Sequence, residues 1–277
     1  MTRDRAAIVG RAIDSALSQS FENREVWVLN DRSSDNTASI VSKYPTVGWI
    51  DNPKAAGCIE ARNSLMNLIT ADYFVSLDDD AWFMSGDEIE VAIDYLERNP
   101  TTAVVAFDIL SPDKPSARAR SQSKIVGGFI GCGHVIRMAD FRRVGGYVKS
   151  PGPYGSEEKD LALRLLDNGK SIALLPGVHV WHDKTDIARV QPAQHRSGVC
   201  NDLVMTVRRT PLLTLPFAIM TKLYRHFRFS RANGLDEPFR EGVELFWFSL
   251  GEAWKTRQPV RLTTLRTFLK LTRNQSA

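Results

Sequence analysis

The chain has 277 residues, 43% of them hydrophobic and 25% charged, which suits a globular fold and excludes disordered or collagen-like chains. No run reaches the roughly 18–20 apolar residues that a spanning helix needs, and the opening residues lack the apolar core of a signal peptide. The net charge of +4 hides an asymmetry: residues 1–183 hold 20 Lys/Arg against 25 Asp/Glu, and residues 184–277 hold 16 against 7. A basic stretch behind an acidic body points to an anionic partner, lipid headgroups or nucleic acid. Cys58, Cys132 and Cys200 are widely spaced and odd in number, so packing roles in a reducing compartment are expected.

In chain order, Val9, Ile13, Ala16 and Leu17 recur at helical spacing and predict a first helix over 7–19. Residues 25–30 read as a strand, followed by the loop Asp31-Arg32-Ser33-Ser34-Asp35-Asn36-Thr37 and a helix to about residue 44. A strand at 47–50, a helix at 57–69 and a strand at 73–77 come next, the last running into Asp78-Asp79-Asp80. A helix at 89–99 stops at Pro100, and 103–110 is a strand. Residues 111–124, rich in proline, serine and basic side chains, read as a mobile loop. A strand at 134–137 and a brief helix at 140–144 precede Gly145-Gly146. The turn-rich Pro151-Gly152-Pro153-Tyr154-Gly155 leads into a helix at 157–168, which Gly169 closes. Final strands fall at 172–175 and 178–181. Strands alternating with helices imply βαβ units and a mainly parallel sheet.

After about residue 183 the alternation gives way to helices at 197–209, 217–229, 239–256 and 261–272. Phe239, Val243, Phe246, Leu250 and Trp254 share one face of the third, and in the fourth Leu262, Leu265 and Leu269 oppose Arg261, Arg266, Lys270 and Arg273. Such stripes serve as packing faces or, with a basic excess, as membrane-facing surfaces.

Three adjacent carboxylates repel one another, and a hard divalent cation is the usual compensation. At the carboxyl end of a strand they also stand where α/β sheets bind ligands. Asp31 lies just past another strand end, placed to accept hydrogen bonds from a base or ribose, while Asp35 suits a helix N-cap. Arg62 offers a permanent planar donor to a base or phosphate. Glu157, Glu158 and Asp160 open a helix, where acids either offset the helix dipole or supply a rigidly held general base. His182 ends a strand and suits a borderline divalent ion such as manganese, with His179 two residues earlier on the same face of a strict strand.

Together these pieces resemble the family 2 inverting glycosyltransferases, over roughly residues 2–183. The matching motifs are Asn30-Asp31-Arg32-Ser33-Ser34-Asp35-Asn36-Thr37, Gly57 with Ala61-Arg62-Asn63, Leu77-Asp78-Asp79-Asp80, Arg137 with Val144-Gly145-Gly146-Tyr147, Glu157-Glu158-Lys159-Asp160-Leu161 with Arg164-Leu165, and His182. The resemblance implies an α/β fold of the GT-A type, Rossmann-like with a mainly parallel sheet flanked by helices, over residues 1–185. Residues 186–277 follow as a basic helical extension. It implies that Asp31, Arg62, Asp78 and Asp79 bind a nucleotide-diphospho-sugar, and that Asp80, Asp78 and His182 hold Mn2+ or Mg2+. Glu158 aligns with the catalytic base, and Asp160 is a second candidate. The expected function is metal-dependent sugar transfer with inversion onto a glycan or lipid-linked acceptor in surface polysaccharide or glycolipid assembly. The expected place is the cytoplasmic side of an anionic membrane. A sugar-nucleotide-binding protein without turnover is the alternative, and a nucleic-acid-binding module lacks a recognised motif.

One departure stands out. In the resembled family a buried strand precedes the first helix and ends in a Thr-x-Asn/Asp-Arg-like turn, whereas here Thr2-Arg3-Asp4-Arg5 matches only the turn. That strand would lie between those at 25–29 and 73–77. Its lack predicts two inner edges with unpaired backbone groups, each costing about 1–3 kcal/mol if buried unsatisfied. The expectation is therefore a natural start upstream of Met1, or a weakened and poorly soluble relative.

Overall fold

A computed structural model describes residues 1–52, 57–117, 121–184 and 191–276, which form ten α-helices and eight strands. The strand β5 (Thr102–Leu110) is buried on both faces along nearly its whole length and forms the middle of the main sheet. Across that sheet stand β3 (Tyr73–Leu77), β7 (Gly133–Arg137), β5, β8 (Ser171–His182) and β4 (Ala81–Phe83), with the short β6 (Lys124–Ile125) also on β8. β7 is antiparallel to both β3 and β5, and β5 is parallel to β8, so β3, β5 and β8 share one direction.

Successive strand residues point to opposite faces, and the core divides accordingly. Val104, Ala106, Ile136, Ile172 and Leu174 meet Met66, Phe141, Leu161 and Leu165. Those four belong to helices α3 (Gly57–Leu68), α5 (Met138–Arg143) and α6 (Glu157–Asp167). Val105, Phe107, Val135, Ala173 and Leu175 face the other way, onto Ile89, Ala92 and Leu96 of α4 (Glu88–Arg98). The result is the expected α/β architecture, a sheet covered by helices on both faces. The two strands expected at 172–175 and 178–181 are one strand, β8, carrying Gly177 at φ +77° and a register shift against β5 between Ala106 and Asp108. Across it β5 advances two residues, Ala106 to Asp108, while β8 advances five, Leu174 to His179, so β8 bulges outward around Gly177 and then resumes pairing. Within 111–124, Ser111 and Lys114 exchange backbone hydrogen bonds in a tight turn; residues 118–120 lie outside the described part.

β1 (Val26–Asn30) and β2 (Val47–Asp51) pair in parallel as a separate sheet. They pack on α1 (Val9–Leu17) and α2 (Thr37–Val41) through Val9, Ile13, Val28 and Val41. Among the described residues no strand joins β1 to β3. Thr2 also bridges to β1: its N–H donates to the Leu29 carbonyl at 2.8 Å, and Asp31 N–H donates to the Thr2 carbonyl at 2.9 Å. Leu29 and Phe74 share one apolar cluster with Met1, Ala61 and Leu65.

The C-terminal helices α7 (Gln191–Arg209), α8 (Leu215–Asn233), α9 (Asp236–Lys255) and α10 (Leu262–Ser276) are packed onto this body. Val199, Leu203, Val204 and Val207 of α7 bury Phe246 and Ala253 of α9. Val260, Leu265 and Phe268 return to Leu163 and Met205, so α10 lies back over α6. The expected stripes are only partly the packing faces: Trp254 is 52% and Leu269 55% exposed. The boundary expected at 185/186 falls outside the described residues.

Candidate active site

Two strand registers assemble the site. β3 ends at Leu77, directly opposite Gly133 on β7, so the next residue outward on each chain is Asp78 and Cys132. β4 pairs with β8 in the register Ala81–His182, which brings His182 to the acidic turn, and Asp183 N–H closes the join on the Asp80 carbonyl at 2.9 Å. β4 is only three residues long, too short for a periodic signal, and the sequence reading missed it. His182 Nε2 lies 3.2 Å from Asp80 Oδ1, whereas His179 sits in register with Asp108 of β5.

Asp80 is 3% exposed, and Arg5 approaches both it and Asp79, at 3.9 and 3.8 Å. Burial pushes the Asp79 carboxyl above its ordinary range, with Arg5 and Thr2 opposing. Among the described residues, the three whose ligand atoms come within 4.8 Å of one another are Asp78, Cys132 and His182. A carboxylate, an imidazole and a thiol suit a borderline divalent ion, so the residues present fit one. Asp80, expected as a ligand, reaches this group through His182. Asp31 is buried at 3% exposure and accepts a hydrogen bond from Asn52 Nδ2 at 2.8 Å. Asp35 accepts from the backbone N–H groups of Thr37 and Ala6, both at 3.0 Å, which ties the 2–6 segment to the start of α2.

α6 begins after Ser156, itself at φ +72°, and presents Glu157 and Glu158 to Arg62 of α3. The Arg62 guanidinium donates to Glu158 Oε1 at 3.1 Å and to Asp78 Oδ1 at 3.0 Å, and lies 3.5 Å from Glu157 Oε1. Arg62 thus ties the acidic turn to the first turn of α6. Burial and the neighbouring Glu157 charge push the Glu158 carboxyl up to about 7, against the pull of Arg62. Glu157 instead accepts the Gly155 N–H at 2.6 Å and is 3% exposed. Gly131 forms the opposite wall: a Cβ there would strike Glu158 Oε1 and come within 2.6 Å of Arg62.

Asp160 does not share this opening. Both of its oxygens are taken, by Arg164 Nε at 2.7 Å and by Arg209 Nε of α7 at 2.6 Å. The structure thus places Asp160, the second base candidate, in a buried contact between α6 and α7 and apart from Glu158 and Arg62. The loop ahead of α6 is fixed by Asn201 of α7, which exchanges hydrogen bonds with the Gly152 backbone at 2.9 and 3.0 Å. Arg5, Cys132 and Gly131 are the site residues that sequence reasoning left out. The Thr2-Arg3-Asp4-Arg5 turn and the Gly131-Cys132-Gly133 triplet were the available signals.

Comparison with known proteins identifies the family and the fold. The model of glycosyl transferase family 2 matches residues 1–145. The chain is 30% identical over 104 residues to a chondroitin synthase of Pasteurella multocida, covering 36% of this chain and 11% of that protein. It is 26% identical over 125 residues to the Escherichia coli UDP-Glc:alpha-D-GlcNAc-diphosphoundecaprenol beta-1,3-glucosyltransferase WfgD, covering 44% of this chain and 45% of that one. It therefore spans less than half the length of either relative. Among solved structures, S. aureus TarS in complex with UDP-GlcNAc superposes with a TM-score of 0.65 at 16% identity, over 93% of this chain and 80% of that one. The mannosyltransferase PcManGT of Pyrobaculum calidifontis, in complex with GDP-Man and Mn2+, gives 0.60 at 16% identity, over 92% and 86%. At such identities these two show a shared GT-A fold. With its matched region spanning β1 to β7, the acidic turn and Arg62, the chain belongs to glycosyl transferase family 2.

Proposed function

We propose that this protein is an inverting glycosyltransferase that moves a sugar from a nucleotide-diphospho-sugar to an acceptor hydroxyl. The observation that carries the reading is the Arg62 bridge, which joins Asp78 of the acidic turn to a Glu158 carboxyl poised near neutrality. Glu158 takes the proton of the acceptor hydroxyl. The freed oxygen attacks the anomeric carbon opposite the diphosphate, the carbon–oxygen bond to the leaving group breaks, and configuration inverts. Arg62 holds Glu158 in place, and Gly131 keeps that wall free of a side chain. Asp31 and Asn52 lie at the carboxyl ends of β1 and β2, a position that suits recognition of the nucleoside. A divalent cation, Mn2+ or Mg2+, held by Asp78 and His182, with Asp80 orienting the imidazole, would stabilise the departing diphosphate as a Lewis acid.

The relatives named for diphosphoundecaprenol acceptors support a lipid-linked acceptor here, in polysaccharide or glycolipid assembly. An anionic membrane face on the cytoplasmic side fits the surface of α8 and α9. Phe217 and Phe248 are 77% and 89% exposed there, Leu213 in the turn before α8 is 80% exposed, and α8 carries Lys222, Arg225, Arg228 and Arg231 without an acid. No helix among the described residues is long and apolar enough to cross a membrane.

A panel of uridine and guanosine diphosphate sugars, assayed for release of the nucleoside diphosphate with and without chelator, tests the reading. Chelator-sensitive release from one donor, accelerated by a lipid-linked acceptor, is expected. Donor binding with no release by the intact protein would instead favour a sugar-nucleotide-binding role.

A further inference from the structure

We propose that Cys132 is itself a ligand of the divalent cation, completing with Asp78 and His182 a centre of one carboxylate, one imidazole and one thiolate. The proposal rests on the metal-dependent reading above and goes beyond it in naming a sulfur donor. Three ligand atoms bound to one ion at about 2.0–2.3 Å stand about 3–4 Å from one another. Asp78, Cys132 and His182 place theirs within 4.8 Å of one another, a spacing that a single ion closes with a small side-chain shift.

The placement is fixed by the backbone. Leu77 opposite Gly133 puts Cys132 level with Asp78, and Ala81 opposite His182 brings the imidazole in from β8. Neither glycine beside the cysteine has room for a side chain: a Cβ on Gly133 would meet Ile109 at 2.8 Å, and one on Gly131 would strike Glu158. The Gly131 carbonyl is further held by Ser76 Oγ at 2.7 Å. Cys132 sits in the turn ahead of β7, which Gly133 N–H closes on the Ile130 carbonyl at 3.2 Å. Packing among Ala81, Phe83 and Val180 accounts for its 1% exposure, but does not call for an imidazole and a carboxylate beside the sulfur. Asp80, 3.2 Å from His182 Nε2, completes the carboxylate–histidine pairing that commonly orients a metal-bound imidazole. On coordination the thiol S–H bond breaks, the sulfur keeps the electron pair as thiolate, and the proton leaves to solvent.

A thiolate shifts preference from magnesium toward softer ions. The test is cobalt(II) binding to the intact protein, followed by equilibrium dialysis and absorption, with Cys132→Ser and Cys200→Ser alongside and thermal melts to confirm folding. The expected result is a near-ultraviolet thiolate-to-cobalt charge-transfer band in the wild type and in Cys200→Ser, lost in Cys132→Ser. Cadmium affinity should fall by about tenfold or more in Cys132→Ser, while magnesium affinity changes little. Stoichiometric cobalt binding without that band, or with the band intact in Cys132→Ser, would overturn the sulfur ligand and leave the metal reading standing. No cobalt, manganese or magnesium bound by dialysis, with or without nucleoside diphosphate, would overturn both.

Discussion

A carboxyl that titrates near neutrality can both take and release a proton at working pH, which is what a general base needs. Glu158 reaches that state through burial and the Glu157 charge, while Arg62 pulls the other way. The activity profile should therefore rise through an ascending limb near pH 7. Replacing Glu157 by Gln should move that limb to lower pH, and Arg62→Gln should move it higher; kcat/KM against pH reads both. Glu158→Gln should keep donor binding and lose roughly 10²-fold or more in kcat. The sign for stability is opposite. A carboxyl raised from 4.5 to about 7 by the fold disfavours the folded state once it ionises. Glu158→Gln should accordingly raise Tm at pH 8 and change it little at pH 4, and an equal shift at both would refute the linkage. Gly131→Ala should cost about 10²-fold in kcat at nearly unchanged Tm, because its Cβ displaces only the ends of Glu158 and Arg62.

At the scale of elements, α6 is aimed by the buried pair that Asp160 makes with Arg164 and Arg209. Removing one partner of such a pair leaves an uncompensated buried charge and costs about 3–5 kcal/mol. Asp160→Asn should therefore melt well below Glu157→Gln in parallel thermal scans. If the two melt alike, the clamp does not hold α6. In the sequence Glu158 and Asp160 look interchangeable, two acids in one helical turn. Arg164, four residues on, was visible as a helical neighbour of Asp160, but Arg209 lies 49 residues away and enters only through the packing of α7. The same limit governs the rest of the site. Elements whose apolar period spans several residues, such as β5, α4 and α6, were legible at nearly their true bounds. The three-residue β4 was not, and with it went the reason that His182 and not His179 meets Asp80. Cys132 read as a packing residue because its neighbours arrive from two other strands, through registers that no local pattern encodes.

Over the whole molecule the charge asymmetry of the sequence becomes a surface. The helical end carries the basic excess, and its largest exposed apolar side chains gather on the turn before α8 and on α8 and α9. Phe217, Met220, Tyr224 and Phe227 follow one helical face, and the last three line an apolar groove of about 560 Å³ with Phe239, Val243 and Trp247. An amphipathic surface with arginines beside bulky apolar groups suits the headgroup boundary of an anionic bilayer. Burying a large apolar side chain contributes about 1.5–3 kcal/mol. Each basic residue near an anionic surface adds about 1 kcal/mol and is screened by salt. The two contributions can be separated by vesicle flotation. Arg225→Gln with Arg228→Gln should weaken binding to anionic vesicles by about 2 kcal/mol, roughly thirtyfold, at low salt and by less at high salt. Leu213→Ser with Phe217→Ser should weaken it at both salt concentrations, because apolar burial is not screened. Failure of the wild type to float with anionic vesicles at low salt would remove the membrane from the reading. A dimer by sedimentation that Phe217→Ser dissociates would assign the face to a second copy of the chain.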